Sequence, residues 1–427
     1  MYFFNKIDYR LGRDILFALL LFSIALPTVF TVAKLSFIVI IFAILLLLSL
    51  NGEALHINRW LLIICIFYSS YGLAYSLFGL INGNPGAVKT MTVMVVYPVL
   101  FTILSCFIRN EIDVLKLSKT LIIACWLVVL IQLMFLLSVL GLMPGEIYGF
   151  FNQSNSSNNS FYMEKGVFLF TMSNTSSLLF LIPFLFIYIL LSKKIDIYKV
   201  VLLVIMFSLI LVTGRRAFFV SFFFSVLIIL ALLIFIKWPG KSSIYNRVIL
   251  FSFFVSFSAI VFIFLQDVNF DFYVEKLTSI LDFSTNESNI ERVYQFQSLL
   301  KGIELSPLFG YGAGAAADYV RSQEQPWAYE LSYVSLAYQY GLIGLLLYSL
   351  GVSTIIFMLV RICSGRNASI PQKKAILSFF GGFISFMIAN ATNPYFAKFD
   401  YMWVLFVPIF IVNVYMKKFT QESDLYD

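Results

Sequence analysis

The residues of this sequence best suited to chemistry are arginines that break or flank apolar runs. Arg215 and Arg216 interrupt one such run at Thr213-Gly214-Arg215-Arg216, while Arg292 and Arg321 lie in a long polar segment further on. A guanidinium group is planar, stays charged near lipid and binds phosphate oxygens two at a time. Gathered together at the membrane surface, they would favour an anion such as a lipid phosphate. The plain alternative is that arginines at span ends anchor in lipid headgroups. Glu330, just before another apolar run, is the candidate base for an attacking hydroxyl.

What must position these residues is a set of membrane helices. Of 427 residues, 61% are hydrophobic and only 12% charged, and the mean hydropathy is +0.92. A water-facing surface cannot be built from that composition. Apolar runs of spanning length recur near 15–33, 35–50, 60–80, 88–108, 120–142, 167–191, 200–213, 217–236, 248–265, 331–352, 375–391 and 401–416, which predicts an all-α polytopic membrane protein of about twelve transmembrane helices in one integral domain over residues 1–427. No small-residue cleavage site follows Lys6, Arg10 and Arg13, so the first helix is expected to be retained.

Most of the 29 basic residues fall in alternate short loops, and that bias predicts both termini on the inside. Two outside segments are long: 144–166, with its asparagine-rich NQSNSSNNS, expected to be a flexible loop, and 266–330, expected to form part of the site. Residues 199–237 are too long for one span and must fold back at Gly214, which places Arg215 and Arg216 at an outer apex. Within the long loop, Val293, Phe296, Leu299, Leu300 and Ile303 share one face of a predicted surface helix that Asn289 would cap and Ser306-Pro307 would end. Arg292 would sit near its positive end, favouring an anion there.

Several function classes are excluded. Ion-coupled transporters place carboxylates inside their spans, whereas the acidic residues here lie in loops, ends or span edges, many of them in 266–330. The basic excess lies in short loops, so no nucleic-acid partner is expected. The single histidine, His56, falls in an inside loop, and the carboxylates of the outer loop are scattered; no metal and no other cofactor is expected. The cysteines Cys65, Cys106, Cys125 and Cys363 avoid the large outer loop, so no disulfide framework is expected. Gly310, Gly312 and Gly314 imitate a nucleotide fingerprint, but no βαβ unit surrounds them. A tight turn close to substrate or to another loop is the better reading.

Arg292, the turn Ser306-Pro307-Leu308-Phe309-Gly310-Tyr311-Gly312-Ala313-Gly314, the re-entry Tyr340-Gly341-Leu342-Ile343-Gly344, Thr213-Gly214-Arg215-Arg216 and Asn393-Pro394-Tyr395 together resemble the O-antigen polymerase and ligase superfamily. The resemblance implies a GT-C-like enzyme of the bacterial inner membrane. It would transfer a growing glycan from undecaprenyl diphosphate to a new lipid-linked repeat unit, beside a flippase and a chain-length regulator. Arg215, Arg216, Arg292 and Arg321 would hold the diphosphate, with Arg292 and Glu330 catalytic. Gly310, Tyr311, Gly312, Gly314 and Tyr329 would form the turn or touch sugar, and Trp327 and Tyr333 would stack on sugars or join an interfacial aromatic belt. Family ligases carry a histidine where this chain has Glu330, which favours a polymerase over a ligase; a flippase is the rival of another class.

Overall fold

The computed structural model describes residues 8–53, 56–146, 160–164, 167–236, 287–365 and 368–423, with a few isolated positions between them. The expected ninth span, the long loop up to residue 286 and most of 144–166 lie outside the described residues. In chain order the helices are α1 (Tyr9–Ala25), α2 (Thr31–Leu50), α3 (Arg59–Ile81), α4 (Ala87–Met91), α5 (Tyr97–Leu104), α6 (Glu111–Val139), α7 (Leu178–Leu190), α8 (Ile197–Val212), α9 (Arg216–Phe235), α10 (Glu287–Leu305), α11 (Ser332–Ser364), α12 (Ile370–Asn390) and α13 (Phe399–Ser423). Seven helical segments among the described residues are long and apolar enough to cross a membrane. Val32, Val39, Leu46 and Leu50 of α2 are exposed, an apolar surface suited to lipid and not to water. The chain is a multi-pass membrane protein, and its described residues are mostly helical.

Three of the departures from the hydropathy reading have a plain local reason. The first helix ends at Ala25, not near residue 33. Pro27 forces Leu26 out of the helical region (φ −131°), and Lys34 Nζ then donates to the Leu26 carbonyl at 2.7 Å. The run expected to start a span at 167 opens as a strand. Ser160–Glu164 (β1) pairs antiparallel with Val167–Thr171 (β2), and helix begins only with the 3-10 turn Ser173–Ser177. Aromatic and β-branched residues in that run suit a strand as well as a span. The third difference is a π turn, Thr92–Val96, between α4 and α5. Pro98 follows it and lacks the N–H that would bond the Met94 carbonyl, so the ladder slips by one.

The chain divides into two compact units. One is drawn from Met1–Ala54, Asn110–Thr278 and Val360–Phe386, the other from Leu55–Arg109, Ser279–Leu359 and Met387–Asp427. In the first, the buried guanidinium of Arg13 donates to Asp113 Oδ1 at 2.6 Å, joining α1 to α6. Ser177 Oγ and Asn174 Nδ2 donate to the carbonyls of Ile24 and Ala25 at 2.8 and 3.2 Å, so the turn before α7 satisfies the open end of α1. In the second, Phe101 stacks on Phe406 at 4.6 Å. Asn413 there receives the Asn58 N–H at 2.7 Å and donates to the carbonyls of His56 and Ser105 at 2.9 and 3.2 Å.

Candidate active site

The second unit brings Arg292, Arg321 and Glu330 together. Arg292 rises from the first turns of α10, where its Nε donates to Glu330 Oε2 at 2.7 Å and its Nη1 to Asn289 Oδ1 at 3.2 Å. Arg321 Nη1 donates to the other oxygen, Glu330 Oε1, and its Nε lies 3.4 Å from Glu291 Oε2. The Glu330 side chain is only 8% exposed against 27% for Arg292, and its backbone N–H donates to Gln295 Oε1 at 3.0 Å. Residues 289, 292 and 295 recur every three positions on α10 and so share one face. A buried carboxylate thus holds two partly exposed guanidinium groups side by side, with donors to spare on each.

Both Glu330 oxygens accept from guanidinium groups, one from each arginine. Asn289 differs from expectation. The helix is already formed at Glu287, so Asn289 lies inside it and orients Arg292 instead of capping the end. Ser306-Pro307 does follow the end of α10, as read, with the Ser306 N–H donating to the Gly302 carbonyl at 3.0 Å.

The glycine turn lies against other backbone. Gly310, Gly312 and Gly314 have φ of 67°, 90° and 72°, values that glycine reaches without steric cost. The N–H groups of Tyr311 and Gly312 donate to the carbonyls of Tyr338 and Gln339 at 3.1 and 2.9 Å, that of Ala313 to the Tyr75 carbonyl at 3.1 Å, and that of Gly86 to the Gly314 carbonyl at 3.1 Å. Asn84 Nδ2 donates to the Tyr311 carbonyl at 3.0 Å, and Gln339 Oε1 accepts from the Gly314 N–H at 3.0 Å. The turn therefore joins the end of α3, the start of α4 and the first turns of α11.

Two tyrosines of the loop pack against neighbouring residues of the same unit. Tyr329 is 2% exposed and packs among Leu299, Ala315, Ala317 and Tyr338; its hydroxyl accepts the Ala317 N–H at 2.6 Å. Burial pushes that hydroxyl above its ordinary pKa, so it stays a neutral phenol and ties the loop internally. Tyr311 is half-buried and stacks on Tyr338 at 4.9 Å. Arg215 belongs to the first unit, at the sharp turn between α8 and α9 where Gly214 has φ 62°. Its Nη1 donates to Ser176 Oγ at 2.9 Å. The side chain of Arg216 lies outside the described residues.

Residues 201–349 match the family model described as O-antigen ligase. Over that segment the resemblance read from the sequence is shown, and it takes in the Arg215 turn, the arginine pair and the glycine turn. No curated protein and no solved structure matches the chain. Within this O-antigen ligase-type segment the sequence reading passed over Asn289 as an orienting side chain, and Gln295 and Gln339 altogether. The three-residue spacing of 289, 292 and 295 was the available signal for two of them. Gln339 had none, because its partners at 314, 315 and 327 are joined to it only by the fold.

Proposed function

We propose that this protein is a glycosyltransferase that polymerises lipid-linked oligosaccharide repeat units, taking the growing glycan from undecaprenyl diphosphate to the non-reducing end of the next unit. The observation that carries this reading is the pairing of Arg292 and Arg321 on Glu330. A diphosphate leaves as an anion and needs little acid catalysis, but it does need donors already aimed at its oxygens. Glu330 keeps the guanidinium groups from dispersing into solvent, and their remaining N–H groups can meet the phosphates. Arg215 and Arg216 keep their expected share in this role as part of the proposal. The positive-inside bias supports an inner-membrane enzyme with both termini inside, and the same pathway would supply a flippase and a chain-length regulator.

Ligase is the second reading, and His56 bears on it. This single histidine precedes α3, and its carbonyl is held by Asn413. The glycine turn meets the opposite end of α3, a helix of 23 residues and so about 35 Å long. His56 therefore lies at the other end of α3 from the glycine turn, which supports the polymerase reading. The glycan pattern of a deletion strain tests the assignment. Surface glycan cut to a single repeat is the expected result; lipid-linked chains accumulating outside would mean a ligase, and precursors trapped inside a flippase.

Replacing Glu330 by glutamine is expected to slow transfer about tenfold to a hundredfold, since one amide face would oppose a guanidinium N–H and leave a donor unpaired, at about 1–3 kcal/mol. As a positioning residue, Glu330 should leave the acid limb of the pH–rate profile intact in Glu330→Gln. Loss of that limb would restore the base role, and a wild-type rate would remove Glu330 from the site.

A further inference from the structure

The second unit contains a cavity of about 310 Å3 whose wall includes Lys89, Trp327, Tyr333, Asn390, Phe396 and Lys398. It lies along α4 and the π turn that follows it, where α11 begins, where α12 ends and just before α13. The same stretch of chain, 325–340, supplies Glu330 to the arginine pair and much of this wall. Its size is at the lower limit of ligand sites, which run from about 300 to 1,000 Å3. It has room for a short saccharide end and not for a chain.

Three features of the wall name the ligand class. First, it has fixed aromatic faces. Trp327 lies against Gly86, so close that a Cβ on Gly86 would stand 2.2 Å from its ring. Tyr333 is held by its hydroxyl, which donates to the Met387 carbonyl at 2.7 Å. Rigid rings of this kind stack on the apolar faces of sugars. Second, the amides of Gln325 and Asn390 offer partners for sugar hydroxyls. Third, among the described residues, the charged side chains lining it are those of Lys89 and Lys398, both exposed, and no carboxylate lines it. Such a cavity concentrates an anion. Planar arginine forks bind diphosphate better than lysines do, and aromatic faces add nothing for a phosphate.

We propose that this cavity is the acceptor's saccharide subsite and that Lys89 and Lys398 select a sugar bearing a carboxylate. The assignment rests on the glycosyl-transfer reading, but its test reads binding alone. Full-length protein in phosphatidylcholine nanodiscs would be titrated with a glucuronate-terminated disaccharide, its glucose-terminated counterpart and inorganic pyrophosphate, following tryptophan emission. The uronate disaccharide should give a saturable change and bind about tenfold more tightly than the neutral one, as a charge-assisted hydrogen bond implies. Trp327→Phe should remove the signal, and Lys89→Gln with Lys398→Gln should erase the preference without erasing neutral-sugar binding. Equal affinity for both sugars, no saturable change, or competitive displacement by pyrophosphate would overturn the subsite.

The two proposals fail separately. Arg292→Ala should leave uronate binding as it is while stopping transfer. A uronate-binding protein whose deletion leaves chain length unchanged would end the transfer reading alone. A deletion that removes a glycan with no acidic sugar would end the subsite alone.

Discussion

Arg292→Ala is expected to reduce the surface glycan to single repeats while the protein still accumulates in the membrane. The chemical loss follows from what Arg292 offers. Its Nε and Nη1 are engaged by Glu330 and Asn289, so its Nη2 faces the task of meeting a phosphate oxygen. Removing one such preorganised donor typically costs about 10²–10³ in rate. The fold loses less, because Arg321 remains on Glu330 Oε1 and Gln295 still accepts the Glu330 N–H. Arg292→Lys separates charge from geometry. A lysine keeps the charge but not the fork, so it should restore only part of the rate, about a tenth of wild type. Length ladders from cells, with membrane protein measured on the same samples, decide the matter. Normal ladders in Arg292→Ala, or loss of the protein itself, would turn the arginine pair into a structural tie between α10 and the loop.

How much of this was legible beforehand depends on the range of the interaction. The helices followed from hydropathy alone, since a run such as Thr31–Leu50 has one solution in lipid. Boundaries went astray where a local rule competed with the apolar run, as at Pro27 and at the Val167–Thr171 strand. Arg292, Arg321 and Glu330 were each picked out by residue type and place, but nothing in the sequence joins residues 292 and 330. Their ion pair was invisible. The glycine turn shows the same limit. Three glycines announced a backbone need at 310–314, while the partners at 75, 86 and 339 come from elements far along the chain.

That backbone need predicts the second large effect, in which Gly314→Ala and Gly341→Ala each abolish folded protein. Gly314 has φ 72°, and a Cβ there would lie 2.1 Å from the carbonyl carbon of Gly86. Gly341 combines φ 68° with ψ −178° inside the kink of α11, a region open essentially to glycine alone, and its Cβ would meet the Leu308 carbonyl oxygen at 2.1 Å. In both cases the obstacle is backbone, which cannot swing aside as a side chain can. Relief would break the hydrogen bonds from Gly86 to Gly314 and from Leu342 to Pro307, made at 3.1 and 2.8 Å. Gly83 is the internal control: its φ is 71°, yet nothing lies within 4 Å of its Cβ position. Gly83→Ala should cost only the left-handed strain, about 1–2 kcal/mol, and keep its ladder. Membrane protein level and thermal melting in detergent would be read for all three variants. If Gly314→Ala melts like Gly83→Ala, the turn does not join α4 to α11, and the arginine pair loses the frame that holds the loop beside it.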